Sequence, residues 1–197
     1  MRVYRYSGIA VKIYPGVFHP GFFFSTKVLL EYLQEQPMQG VKVLELGAGS
    51  GLISIHCVKR GAVVTASDIS KTATEHLHEN AMINDVQMNI VLSDLFEHLN
   101  PRDFDWIIIN PPYYPKAVQS EQDFAWFCGE DFEYFSRLFY QLSNNIETLN
   151  NTIMILSEDC DNNQIQALAK SNGLLLNLIY KKRSAGEDNY IFKITAE

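Results

Sequence analysis

Four residues, Asn110-Pro111-Pro112-Tyr113, are the best candidates for chemistry in this chain. They follow the apolar run Phe104-Asp105-Trp106-Ile107-Ile108-Ile109, which reads as a buried strand. An asparagine at a strand end, locked by two prolines and backed by an aromatic ring, makes a rigid polar cup with a flat wall. Such a cup suits a planar NH2 group. The Asn110 side-chain carbonyl and the backbone carbonyl of Asn110 or Pro111 can accept its two hydrogens, and Tyr113 can stack behind its plane. An ordinary strand-to-loop turn also uses prolines, so the reading depends on what stands at the other strand ends.

A glycine loop, Glu45-Leu46-Gly47-Ala48-Gly49-Ser50-Gly51, follows the first strand of the alternating region and opens a helix. The dinucleotide fingerprint G-x-G-x-x-G needs glycine at 52, where Leu52 stands, and no G-K-[ST] follows to cradle phosphates. The compact spacing suits a ligand without a pyrophosphate. Asp68, followed by Ile69, ends the second strand, where a carboxylate accepts hydrogen bonds from ribose hydroxyls. Asp94, followed by Leu95, ends the third and can accept from an adenine amine. Glu45 adds negative charge beside the loop. Each carboxylate alone would pass as a helix cap or a solvated loop residue. At successive strand ends they suit an adenosine with a cationic tail, and S-adenosylmethionine is such a ligand.

The elements that must position these residues are legible as alternation. Strands are predicted at Val41–Leu46, Gly61–Ala66, Gln87–Leu92, Phe104–Ile109, Thr152–Leu156, Leu174–Tyr180 and Tyr190–Ile194. Helices are predicted at Ser25–Gln36, Leu52–Arg60, Ser70–Ile83, Asp131–Leu149 and Asn162–Ser171. Ser70 and Asn162 are the expected N-caps, and Gly173 the expected stop. The pattern predicts an α/β Rossmann-like fold, a seven-stranded, mostly parallel sheet with helices on both faces. Ligands of such sheets sit where the strand order reverses, so the glycine loop and Asn110 should share one crevice if their strands are neighbours. Residues 1–24, rich in aromatics, stand apart as a lid and access segment; 25–197 form one domain.

Composition bounds the class. The chain has 197 residues, 47% hydrophobic and 20% charged, enough for one domain with a full core. No apolar run approaches the ~20 residues of a membrane span, and Met1–Tyr6 lacks a secretory apolar segment. Three cysteines without a CxxC pair argue against a zinc site or a disulfide framework and fit a reducing cytoplasm. A net charge of −7 weighs against a free-standing nucleic-acid binder. A monomer or small oligomer is expected.

Val43-Leu44-Glu45-Leu46-Gly47-Ala48-Gly49-Ser50-Gly51 resembles the first motif of the class I methyltransferases, and Asn110–Tyr113 resembles their amino-methylating motif. Within that superfamily the chain is similar to the short HemK/PrmC-like protein-glutamine methyltransferases, over roughly residues 13–195. Ala125-Trp126-Phe127-Cys128-Gly129-Glu130-Asp131 resembles that branch's segment after the Asn-Pro-Pro-Tyr motif, and Arg183-Ser184-Ala185-Gly186-Glu187 its C-terminal turn. The resemblance implies that Thr26, Glu45, Gly47, Ala48, Gly49, Gly51, Asp68, Ile69, Asp94, Leu95 and Asn110 line the pocket for S-adenosylmethionine, with S-adenosylhomocysteine as product. It implies that Asn110, Pro111 and Tyr113 hold the acceptor, and that Val17-Phe18-His19-Pro20 and Thr26 belong to a loop over the cofactor. Gly21-Phe22-Phe23-Phe24-Ser25 departs from the family pattern there, being longer and more apolar.

Two acceptors stay open: the side-chain amide of an exposed glutamine on a protein such as a release factor, or an exocyclic amine of adenine or guanine in RNA or DNA, presented unpaired. A binding module without turnover and a nicotinamide dehydrogenase are the remaining readings; the intact cup opposes the first and Leu52 the second. No general base is assigned, because a methylated amide nitrogen is acidic enough to lose its proton to water. His76 and His78 lie two apart on a helix and do not share a face. Lys181-Lys182-Arg183 is either a solvated face or a contact for phosphates.

Overall fold

The computed structural model describes residues 1–14, 24–145, 151–184 and 186–197. It opens on an antiparallel hairpin, β1 (Arg2–Tyr6) and β2 (Ile9–Ile13), where sequence reading foresaw no strands. Ile9, Val11 and Ile13 alternate inward and are buried. Two asparagines of the third helix, Asn80 and Asn84, stand one turn apart and act as a substitute strand for β2. Asn80 Oδ1 accepts from Lys12 N (2.8 Å) while its Nδ2 donates to Lys12 O (2.9 Å). Asn84 does the same for Ala10, at 3.0 and 2.7 Å. The first part of the expected lid segment is thus core structure. The Val17–Pro20 and Gly21–Phe23 stretches lie outside the described residues.

The remaining strands are β3 (Lys42–Leu46), β4 (Val63–Asp68), β5 (Asn89–Leu92), β6 (Trp106–Ile109), β7 (Asn151–Ser157), β8 (Leu174–Ser184) and β9 (Glu187–Ala196). They form one seven-stranded sheet in the order β5-β4-β3-β6-β7-β9-β8, with β9 antiparallel to β7 and β8. The other neighbouring pairs are parallel. Alternate residues divide the core into two layers, as the pleat requires. Val43, Ile108, Ile153 and Ile155 pack under the hairpin with helices α1 (Ser25–Gln34) and α2 (Leu52–Lys59). Leu44, Leu46, Ile107, Ile109, Met154 and Leu156 pack against α4 (Glu133–Ser143) and α5 (Asn162–Ser171). The third helix, α3 (Lys71–Ile83), packs on β2, β4 and β5. Among the described residues no helix is long and apolar enough to cross a membrane.

Caps and ends match the sequence at two places and depart from it at two. Ser70 caps α3, its Oγ accepting from Ala73 N at 3.1 Å. Gly173 follows α5 with φ 71, the left-handed stop that glycine adopts most cheaply. The cap of α5 is Asp161, which accepts from Gln164 N at 3.0 Å, whereas Asn162 is the first helical residue. The fourth helix starts at Glu133, later than the expected Asp131, because Gly129 (φ 89) and Phe132 (φ 58) hold the chain in left-handed turns. Its expected end, toward Leu149, lies outside the described residues.

Candidate active site

The reversal of strand order falls between β3 and β6, and Leu46 is in register with Ile109. Gly47 and Asn110 therefore leave the sheet side by side. Between them opens a cavity of about 440 Å³, within the ~300–1,000 Å³ of small-molecule sites.

The glycine loop is held by its neighbours' strand ends. Gly47 N and Ala48 N donate to Ser67 O at 2.9 and 2.8 Å. Gly51 has φ 76, a conformation that favours glycine, and a Cβ there would press on Leu77 Cδ2 at 2.6 Å. Asp68 is the loop's clamp: Oδ2 accepts from Gly49 N and Oδ1 from Ser70 N, each at 2.9 Å. Burial pushes the Asp68 pKa up, opposed by the N–H groups of Ser70, Gly49 and Ile69. Glu45 is buried below the loop, where its Oε2 accepts from Ser54 N (2.7 Å) and from Ser54 Oγ. Burial raises its pKa from 4.5 to about 8, against the Ser54 hydrogen bonds and aided by the Asp68 charge.

Asp94 stands in the turn after β5 and is paired to a residue that sequence reading did not single out. Arg137 Nη2 lies 2.6 Å from Asp94 Oδ2. Tyr134, one turn earlier on α4, also lines the cavity. Burial raises its phenol pKa, and the charges of Asp68 and Asp94 raise it further. Across the cavity, Asn110 Nδ2 donates to Thr26 Oγ1 at 3.4 Å. Thr26 is buried in the first turn of α1. Among the described residues Asn110 Oδ1 makes no hydrogen bond, so the acceptor end of the amide is the end left for a ligand.

The cavity wall brings together Thr26, Glu45, Gly47, Ala48, Gly49, Asp68, Ile69, Asp94, Leu95, Asn110 and Pro111. Two expected site residues stand outside it. Gly51 shapes the loop through its left-handed backbone, φ 76, at the N-cap of α2. Tyr113 is 5% exposed and packs in the layer that holds Leu46, Ile109 and Leu156, with its ring 4.8 Å from that of Tyr114. It braces the cup from within the core. Among the described residues the aromatic side chains on the cavity are those of Phe124, Phe127 and Tyr134. Phe127 lies in the Ala125–Asp131 segment noted for its family resemblance; Tyr134 and Arg137 had no signal beyond the amphipathic pattern of their helix.

This geometry agrees with comparisons to known proteins. The family model described as the methyltransferase small domain matches residues 8–127. The chain belongs to that family. It is 37% identical over 146 residues to the Methanocaldococcus jannaschii protein named "Putative protein N5-glutamine methyltransferase", spanning 71% of this chain and 72% of that one. Among solved structures, the E. cuniculi Mtq2–Trm112 complex, described as responsible for methylating the eRF1 translation termination factor, superposes with a TM-score of 0.67. There the identity is 19%, covering 92% of this chain and 99% of the other. The T. thermophilus 16S rRNA N2 G1207 methyltransferase, solved with AdoMet and guanosine, gives a TM-score of 0.66 at 18% identity. That likeness covers 98% of this chain and 49% of the rRNA enzyme. These neighbours share the class I methyltransferase fold.

The methyl donor of this family is S-adenosylmethionine, and the cavity's donor set fits it. Asp68 and Asp94 face a space whose lining arginine, Arg137, is paired with Asp94, and Glu121, Glu130 and Glu133 add to the acidic lining. A pyrophosphate would meet repulsion here, whereas a sulfonium and an ammonium would meet attraction. The chain is an S-adenosylmethionine-dependent methyltransferase.

Proposed function

We propose that this methyltransferase acts on a planar NH2 group, the side-chain amide of a glutamine on a protein. The observation that carries this reading is the charge around the cavity. Glu121, Glu130 and Glu133 line it. The basic run that could have held phosphates is engaged elsewhere: Lys181 and Arg183 pair with Asp188, and Lys182 with Glu31. A nucleic-acid strand would have to approach that acidic mouth without the phosphate contacts that supply its affinity. Similarity to the M. jannaschii protein points the same way.

The roles of individual residues follow from chemistry. Bound in the cavity, S-adenosylmethionine supplies an electrophilic methyl group on a positively charged sulfur. An amide nitrogen is a poor nucleophile because its lone pair is delocalised into the carbonyl. Asn110 Oδ1 and the carbonyl of Asn110 or Pro111 accept its two N–H groups and hold the nitrogen in line. Thr26 fixes which end of the Asn110 amide faces the substrate. Each contact contributes roughly 0.5–1.5 kcal/mol of binding; alignment can contribute roughly 7–11 kcal/mol. Asn110 Oδ1 also stabilises positive charge as it develops on nitrogen. No protein base is needed. Tyr113 keeps the cup rigid from behind, and Phe124 and Phe127 provide the flat wall.

A labelled-methyl transfer assay on cell extract tests the acceptor. Label released by protease and resistant to nuclease is the expected result. Label destroyed by nuclease alone would move the assignment to a base amine, which the same cup can hold.

A further inference from the structure

The turn that carries Asp94 is held from outside by the fourth helix. Ser93 N donates to Asp68 O at 2.9 Å and Glu97 N to Asp94 O at 3.1 Å, while Leu95 takes a left-handed φ of 49. A leucine in that conformation is strained and needs outside support. Two α4 side chains, four residues apart and so on one face, supply it. Gln141 Oε1 accepts from Phe96 N at 3.0 Å, and Arg137 Nη2 binds Asp94 Oδ2 at 2.6 Å. Asp94 Oδ1 makes no hydrogen bond among the described residues, and both Asp94 and Arg137 line the cavity.

We propose that Arg137 is a positioning residue for the cofactor's base: by fixing one oxygen of Asp94 it presents the other as the acceptor for the exocyclic amine of adenine. The inference rests on the S-adenosylmethionine reading of the cavity. A guanidinium on Oδ2 holds the carboxylate in one rotamer with its free lone pairs directed elsewhere. An adenine amine donates to that oxygen. A purine with a 6-oxo group presents an acceptor instead, and two acceptors facing each other repel. Without Arg137 the carboxylate can rotate, and the contrast between the two purines should shrink. The pair is partly open to solvent, with side-chain exposures of 49% and 26%, and Gln141 still holds the turn through Phe96 N, so loss of the pair should leave the fold intact.

The test is calorimetric binding of S-adenosylhomocysteine and S-inosylhomocysteine to the whole chain, which needs no acceptor and no turnover. The wild type should prefer the adenosyl ligand by roughly tenfold or more, the range of a hydrogen bond to a charged group. Arg137→Met, which keeps the length and removes the charge, should bring that preference most of the way to unity without changing the melting temperature. Arg137→Lys should restore part of it. An unchanged preference in Arg137→Met, or an equal weakening of both ligands, overturns the proposal and leaves the cofactor reading standing. Failure of the wild type to bind either ligand overturns both.

Discussion

The two halves of the cavity are built on different principles. The cofactor half is made of consecutive strand ends. Glu45 lies near the end of β3, Asp68 ends β4 and the Asp94 turn follows β5, and their side chains are tied to backbone N–H groups or to a neighbouring helix. The acceptor half, beyond Asn110, is an irregular segment closed on itself. Tyr114 N donates to Trp126 O at 3.1 Å, Cys128 N to Tyr114 O at 3.0 Å, and Asp123 gathers the N–H groups of Gln119 and Ser120. Sheet register determines where the donor's groups lie, to within the spacing of the strands. The acceptor's surroundings can vary without disturbing the sheet, which is how loops on a rigid scaffold carry specificity.

The sharpest way to break this division is to remove the residue on the boundary. Asn110→Ala should lower turnover by on the order of 10²–10³-fold, the range for losing one preorganised group at a reacting centre. Calorimetric affinity for S-adenosylhomocysteine should change little, since the Asp68 and Asp94 contacts remain. A comparable loss of cofactor affinity would mean that the boundary is drawn in the wrong place.

How much of each half was legible beforehand follows the same line. The glycine loop and its carboxylates were readable because apolar runs mark the strands, and a parallel sheet forces their ends together. Register did the rest, bringing Gly47 beside Asn110. The hairpin was missed although Ile9, Val11 and Ile13 alternate, because β2 is completed by Asn80 and Asn84, 68 and 74 residues away in sequence from the residues they bond. Arg137 and Tyr134 were invisible for a related reason: on an amphipathic helix, a polar residue that grips a turn looks like one that faces water. Tyr113 was assigned to the cup from its place beside the prolines. Sequence adjacency does not say which way a ring turns, and this one turns into the core.

Within the cofactor half, the buried acid gives the next largest expected effect. The folded-state pKa of Glu45 lies above its ordinary value, so the stability it permits is complete below pH 4.5 and falls as pH rises toward about 8. Each unit in that window costs about 1.4 kcal/mol at most. Glu45→Gln removes the titrating group while keeping an oxygen for Ser54. Chemical denaturation at pH 5 and pH 8 should show the wild type losing a few kcal/mol relative to this variant. Parallel curves would mean that Glu45 stays ionised in the fold.

Asp68→Asn is a smaller and more local change. An amide offers one acceptor where the carboxylate satisfies Gly49 N and Ser70 N together, so one of those N–H groups must face an NH2. Affinity for S-adenosylhomocysteine should fall roughly tenfold, as expected for a lost hydrogen bond to a charged group. Turnover at saturating cofactor should fall less than in Asn110→Ala, because the cup is untouched.

The smallest effect is expected where the halves touch. Glu121 Oε1 of the acceptor segment accepts from Ser70 Oγ at 2.5 Å and from Thr72 N at 3.5 Å, at the positive N-terminus of α3. The Ser70 hydrogen bond and the helix N–H groups hold the Glu121 pKa below 4.5, so this latch is present at neutral pH and loosens only in acid. Ser70→Ala would confound the test, because the same hydroxyl caps α3 and a lost cap costs about 1 kcal/mol by itself. Glu121→Ala isolates the latch. With the acceptor segment less firmly seated, KM for the acceptor should rise a few-fold and limited proteolysis between residues 114 and 127 should quicken. Affinity for S-adenosylhomocysteine should stay within twofold of wild type. If cofactor affinity falls with it, the segment belongs to the cofactor half, and the acceptor side begins farther out than Asn110.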